Sequence, residues 1–221
     1  MQDLRALLED RYQRYCAPDF IAEDPIAIPH RYTRKEDREI AGFLTATIAW
    51  GRRPLILKSA RRLMALMDDA PADFTLYATD ADLARLERFA HRTFNGEDAV
   101  FFIRALRRLY TQHGGLEGAL YTPPDAPDAG PGLARLHQLF LEEAPARTRK
   151  HLADVTRGAA AKRLNMFLRW MVRRCAAGVD FGLWGAPEPR QLLCPLDVHT
   201  GNVARALGLL RRKQDDWKAT L

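Results

Sequence analysis

The chain has 221 residues, of which 47% are hydrophobic and 28% charged, enough apolar material for one or two cores without disulfides or metals. That excludes a disordered chain and a stapled mini-protein. No apolar run approaches the roughly 20 residues of a bilayer span. The opening Met1-Gln2-Asp3-Leu4-Arg5 mixes charge with apolar residues at once, so no membrane segment or leader is expected and a cytoplasmic protein is inferred.

The net charge of +6 favours a polyanionic partner. Only six of the 34 basic residues are lysines, so amine chemistry has few candidates. Cys16, Cys175 and Cys194 are odd in number, widely spaced and form no CxxC pair. Three reduced thiols are the expectation, with no metal, cluster or other cofactor.

Apolar residues recur at helical spacing throughout, and no stretch alternates with period two, so the fold class is all-α. An opening helix is expected over the first 15 residues, carrying Leu4, Leu7, Leu8, Tyr12 and Tyr15, followed by a crossing segment to residue 36 broken by Pro18, Pro25 and Pro29. A first helical lobe over 37–120 begins with a helix from Asp37 to Trp50 that is apolar almost all round and therefore buried. After Gly51, Pro54 suits the first turn of a second helix with Ile56, Ala60, Leu63, Met64 and Met67 inward. Asn95 is a candidate cap for a helix from about Glu97 to His113, closed by Gly114-Gly115. A Pro- and Gly-rich loop is expected over 121–132, and a second lobe over 133–221. That lobe holds helices near 133–143 and 159–175, an irregular insert, and a helix from Val198 with Val203, Leu207 and Leu210 as core positions. A cleft should separate the lobes.

In the 159–175 helix, Leu164, Phe167, Leu168, Met171 and Val172 form the core face. Lys162, Asn165, Arg169 and Arg173 share a narrow stripe that suits a phosphodiester backbone. Lys162 falls in the first turn, where the helix's partial positive charge disfavours an ammonium, and a neutral amine is a nucleophile. Asp197 precedes the last long helix as an N-cap. His91, Asp98, Asp197 and His199 have no recognised metal-ligand spacing. The polar run from His91 to Asp98 is read as a cap or as pocket lining, through Asn95, Glu97 and Asp98, with His199 a further pocket candidate.

The run from Gly158 through Lys162 and Asn165 to Leu168 resembles the helix-hairpin-helix element of DNA glycosylases, LPGVGRKTANVVL. Pro195-Leu-Asp197-Val-His199-Thr-Gly-Asn-Val203-Ala-Arg-Ala-Leu207-Gly208 resembles the VDTHVxRVxxRLG segment that follows it and carries the catalytic aspartate. Glu39 to Leu63 resembles the early helix pair of endonuclease III-like enzymes, with Trp50 at the position of the duplex-wedging side chain. The string KRLNMFLRWMV…CPLDVHTGNVAR is also similar to the uncharacterised bacterial family termed domain of unknown function 2400.

The glycosylase resemblance covers about half the chain and implies a two-lobed helix-hairpin-helix fold acting on duplex DNA as an N-glycosylase with AP-lyase activity, or a non-catalytic nucleic-acid-binding protein on that fold. It implies Lys162 as nucleophile, Asp197 as supporting carboxylate and Trp50 as a wedge or stacking residue, while the net charge and the basic faces make Arg52, Arg53, Lys58, Arg61, Arg62 and Arg169, with Gly158 and Asn165 of the resembling element, the expected DNA contacts. Three departures stand out. Ala160 replaces the hairpin's second glycine, the 35-residue step from Lys162 to Asp197 is long and nearer that of archaeal 8-oxoguanine glycosylases, and the four-cysteine iron–sulfur motif is missing.

Overall fold

The computed structural model describes residues 2–221. It is mostly helical, with helices α1 Gln2–Tyr15, α2 Lys35–Thr47, α3 Arg53–Leu66, α4 Pro71–Tyr77, α5 Asp80–Ala84, α6 Gly96–Gln112, α7 Gly115–Ala119, α8 Gly130–Phe140, α9 Lys162–Val172, α10 Val198–Ala206 and α11 Trp217–Thr220. One two-residue antiparallel ladder pairs β1 Ala90–His91 with β2 Phe94–Asn95. No described helix is long and apolar enough to cross a membrane.

The apolar wrap of α2 has the expected consequence: all nine residues from Glu39 to Thr47 are buried. Its neighbour in space is α9, far along the chain. The approach is close because Gly42 has no side chain; a Cβ there would stand 3.1 Å from the Met171 methyl and 3.4 Å from the Phe167 ring. Phe43 meets Phe167 at 5.6 Å and Phe140 at 5.3 Å between ring centroids, and Phe102 meets Phe140 at 4.8 Å. One contiguous buried cluster therefore runs from Ile26 to Trp184 through both of the stretches expected as lobes. The rings favour edge-on and tilted contacts, which add to the burial of their area.

Asn95 caps α6 reciprocally: its side chain accepts from the Asp98 N–H at 3.2 Å, and Asp98 Oδ2 accepts from the Asn95 N–H at 3.0 Å. Several expectations need correction. Residues 121–132 are not a free loop, because α8 already begins at Gly130 and Gln191 Nε2 donates to the Pro123 and Ala126 carbonyls at 2.8 and 2.9 Å. The helix expected from 159 starts only at Lys162, since Gly158 and Ala161 have φ of 88° and 49°, a left-handed backbone that breaks the helical path. Arg173 is extended and ends it.

Val203 is 59% exposed rather than core, and Leu207 and Leu210 are only half-buried; Gly201 is the buried position of α10. Leu7, Leu8, Tyr12 and Tyr15 of α1 are likewise exposed. The thiols also differ from expectation. Cys16 and Cys175 are joined in a disulfide that ties the end of α1 to the exit of α9, leaving Cys194 free. The reason is tertiary: 159 residues separate the two cysteines in sequence, so spacing carries no trace of their proximity.

Candidate functional site

A cleft of about 990 Å³ opens where the end of α2 and the start of α3 face the start of α9 and the entry to α10. Phe43, Ala46 and Thr47 line it from α2, Ile56 from α3, and Leu164 and Met166 from α9, while Lys162, Asp197, His199, Arg53 and Asp24 supply charge and polarity.

Lys162 and Asp197 meet there. The turn through Ala161 places Lys162 first in α9, and the extended backbone of Asp197 makes it the N-cap of α10. Asp197 Oδ1 accepts from the Thr200 N–H at 2.9 Å, and its Oδ2 lies 2.8 Å from Lys162 Nζ. Cap and ion pair thus use different oxygens of one carboxylate. Burial alone would raise the Asp197 pKa; the Lys162 ammonium and the Thr200 N–H outweigh it and hold the group at about 2. The charged group nearest the Lys162 amine is therefore this carboxylate, and the start of α9 does not act on it alone.

Trp50 is half-buried and lines the cleft. The Arg163 guanidinium lies 4.9 Å from its ring centroid, His91 approaches edge-on at 5.2 Å, and His151 lies near-parallel at 6.0 Å. With its ring held in that way, Trp50 forms wall. Arg163 donates to the carbonyls of Thr47 and His151, tying the end of α2 to the turn before α9. No carboxylate pairs with it among the described residues, and burial pushes its pKa below the usual arginine value.

The expected basic stripe of α9 does not exist as a free surface. Asn165 is 1% exposed and donates to the Ala160 carbonyl at 3.1 Å, bracing the turn before α9 from inside. Arg169 Nε lies 3.4 Å from Oδ1 of Asp180, Arg173 pairs with Oδ2, and the Asp180 side chain is fully buried. The Gly158 N–H is taken by the Val155 carbonyl at 3.0 Å, and the Gly158 carbonyl accepts from Trp217 at 2.8 Å. Gly158 is thereby committed within the fold, whereas the amides of Lys162, Arg163 and Leu164 open α9 without backbone acceptors.

Arg52, Arg53, Lys58 and Arg61 are exposed along α3 and make no ion pair among the described residues; Arg62 donates to the Arg88 carbonyl at 2.8 Å. Asn95 and Glu97 line a separate depression of about 610 Å³, and Asp98 is fully buried, so these three lie outside the main cleft while His199 lines it. Among the described residues, no three His, Cys, Asp or Glu side chains gather as metal ligands. Sequence reasoning missed Arg163, His151 and Asp24 as cleft residues. Arg163 had a visible signal, its place beside Lys162, but the partners that give it and His151 a role are remote in sequence.

No curated protein and no solved structure matches the chain. A family model described as a protein of unknown function (DUF2400) matches residues 24–221, and the chain belongs to that family.

Proposed function

We propose that the protein is a DNA glycosylase with AP-lyase activity on a helix-hairpin-helix-like scaffold. The observation that carries this reading is the 2.8 Å pairing of an amine and a carboxylate at the mouth of an aromatic-walled cleft. A flipped base needs such a recess, and its sugar needs a nucleophile and a fixed negative charge. The Lys162 amine, once deprotonated, attacks C1′. The bond from C1′ to the base breaks, and the base departs with the electron pair and takes up a proton. The nitrogen then sheds a proton, O4′ gains one, and the C1′–O4′ bond opens to an imine. Loss of a C2′ proton expels the 3′ phosphate and nicks the strand.

Asp197 remains a carboxylate throughout the neutral range, so its part is to stabilise positive charge developing at C1′. Arg52, Arg53, Lys58 and Arg61 supply exposed cations for the duplex backbone, and the open amides at the start of α9 suit a phosphate beside Lys162.

Borohydride trapping against duplexes carrying oxidised, alkylated, deaminated and abasic sites tests the proposal. A covalent adduct that disappears in Lys162→Gln, with DNA binding retained, is the expected result. No adduct on any duplex, or full nicking by Lys162→Gln, overturns it, and salt-dependent binding without an adduct leaves a non-catalytic DNA-binding protein.

A further inference from the structure

Beside Trp50 the cleft is lined by His151, a residue the Lys162 and Asp197 chemistry does not use. Its side chain is only 3% exposed, yet it lines the cleft. Nε2 lies 3.2 Å from Oδ2 of Asp98 but off the hydrogen-bonding line, and no other protein atom takes it up. Nδ1, on the other side of the ring, has no hydrogen-bond partner among the described residues, although His30 and His91 both have one. The ring is packed between Trp50 at 6.0 Å and Phe94 at 5.0 Å.

Asp98 is held in place from several sides. Its Oδ1 accepts from the Thr148 hydroxyl at 2.8 Å, and its Oδ2 takes the Asn95 N–H at 3.0 Å and lies 2.8 Å from Arg147 Nη1. Although the approach is too bent for a hydrogen bond, a carboxylate oxygen 3.2 Å from Nε2 repels a lone pair and attracts an N–H there, so it favours the tautomer with hydrogen on Nε2 and leaves Nδ1 an acceptor. Burial is the largest influence lowering the His151 pKa, Asp98 opposes it, and Lys150, Arg163 and Arg147 act in the same direction as burial.

We propose that His151, set by Asp98, is the specificity-determining residue of the cleft, accepting a hydrogen bond from a ring N–H of a planar base lying against the aromatic wall. The substrate class is then bases whose edge donates a ring N–H, and bases methylated at that nitrogen are rejected. This rests on the glycosylase reading for the identity of the ligand, whereas the state of His151 does not.

Two measurements separate them. Long-range proton–nitrogen NMR of the whole chain at neutral pH should show His151 neutral with hydrogen on Nε2. A charged ring, or hydrogen on Nδ1, overturns the proposal whatever the protein acts on. Fluorescence anisotropy then compares duplexes holding one mismatched uracil or hypoxanthine with their N3-methyl and N1-methyl counterparts. Wild type should prefer the unmethylated base by at least about tenfold in one pair, the scale of one buried hydrogen bond. His151→Phe, which keeps the ring packing, should abolish that preference without loss of affinity for a tetrahydrofuran abasic duplex. Equal binding within both pairs by wild type, or a preference kept in His151→Phe, refutes the assignment. A preference that persists where borohydride traps nothing refutes the glycosylase reading alone.

Discussion

Asp197→Asn separates the two jobs of one side chain. Asparagine caps a helix about as well as aspartate, and its amide oxygen can still accept from Thr200, so the capping contribution of about 1 kcal/mol is kept. What disappears is the charge facing Lys162. Lowering a carboxyl from 3.8 to about 2 corresponds to at most ~2.5 kcal/mol at neutral pH. The side chains are 38% and 29% exposed, so solvent screening reduces this to about 1 kcal/mol. For a chain of this length that is a loss of roughly 2–4 °C in melting temperature.

The pH dependence has a definite sign. The folded-state pKa is depressed, so the stabilisation is complete above the unfolded value and disappears as pH falls through about 2. Calorimetry of wild type and Asp197→Asn should show a gap at pH 7 that narrows between pH 4 and 2, while Asp197→Ala keeps an additional deficit from the lost cap. On the proposed reaction, the same Asn variant should release base at least about 10²-fold more slowly with little change in affinity. A loss above 3 kcal/mol, or a gap that survives acidification, would refute the division into cap and charge.

Other consequences are open to measurement. Asp180→Asn removes the buried carboxylate that Arg169 and Arg173 share while leaving two partly exposed guanidiniums that water can reach, and should cost about 1.5–3 kcal/mol in chemical denaturation, the scale of a lost charge-assisted hydrogen bond. Thiol titration of the unfolded, unreduced chain should count one reactive cysteine, Cys194, and three after reduction. Trp50→Ala removes the ring that Arg163, His91 and His151 contact, so the melting temperature should fall markedly; an unchanged melting temperature would refute that packing role. Binding to undamaged duplex should weaken with salt at a log–log slope of about −3 to −4, and each of Arg52, Arg53, Lys58 and Arg61 changed to Ala should reduce that slope by about one.

What could be read directly from the chain was what periodicity and local chemistry encode. The inward faces of α2, α3, α6 and α9 follow from helical spacing, and the Asn95 cap and the Asp197 cap follow from residue type before an apolar run. The meeting of Lys162 with Asp197 was reached through motif order. Misreadings arose where a residue's fate depends on a partner distant in sequence. Arg169 and Arg173 look like a solvated stripe until the insert returns with Asp180 to neutralise them. Val203 looks like core by spacing, but α10 buries only Gly201, and Asp215 Oδ1 would stand 2.4 Å from a Cβ added to that glycine.

The same reasoning explains why the cleft is polar at its mouth and aromatic behind. Its residues come from segments whose ends meet at it: the last turn of α2, the first turn of α9 and the cap of α10. Helix ends are where backbone groups lack internal partners, so side chains or ligands must satisfy them. Arg163 does so for the Thr47 carbonyl at the end of α2, and Asp197 does so for Thr200 at the start of α10. The start of α9 has no such cap: Ala161 offers no side-chain acceptor, and the first amides remain open beside the Lys162 ammonium. The cleft therefore presents, among the described residues, backbone donors without protein partners beside the Lys162–Asp197 pair, the one helix end of the three that the fold leaves unsatisfied.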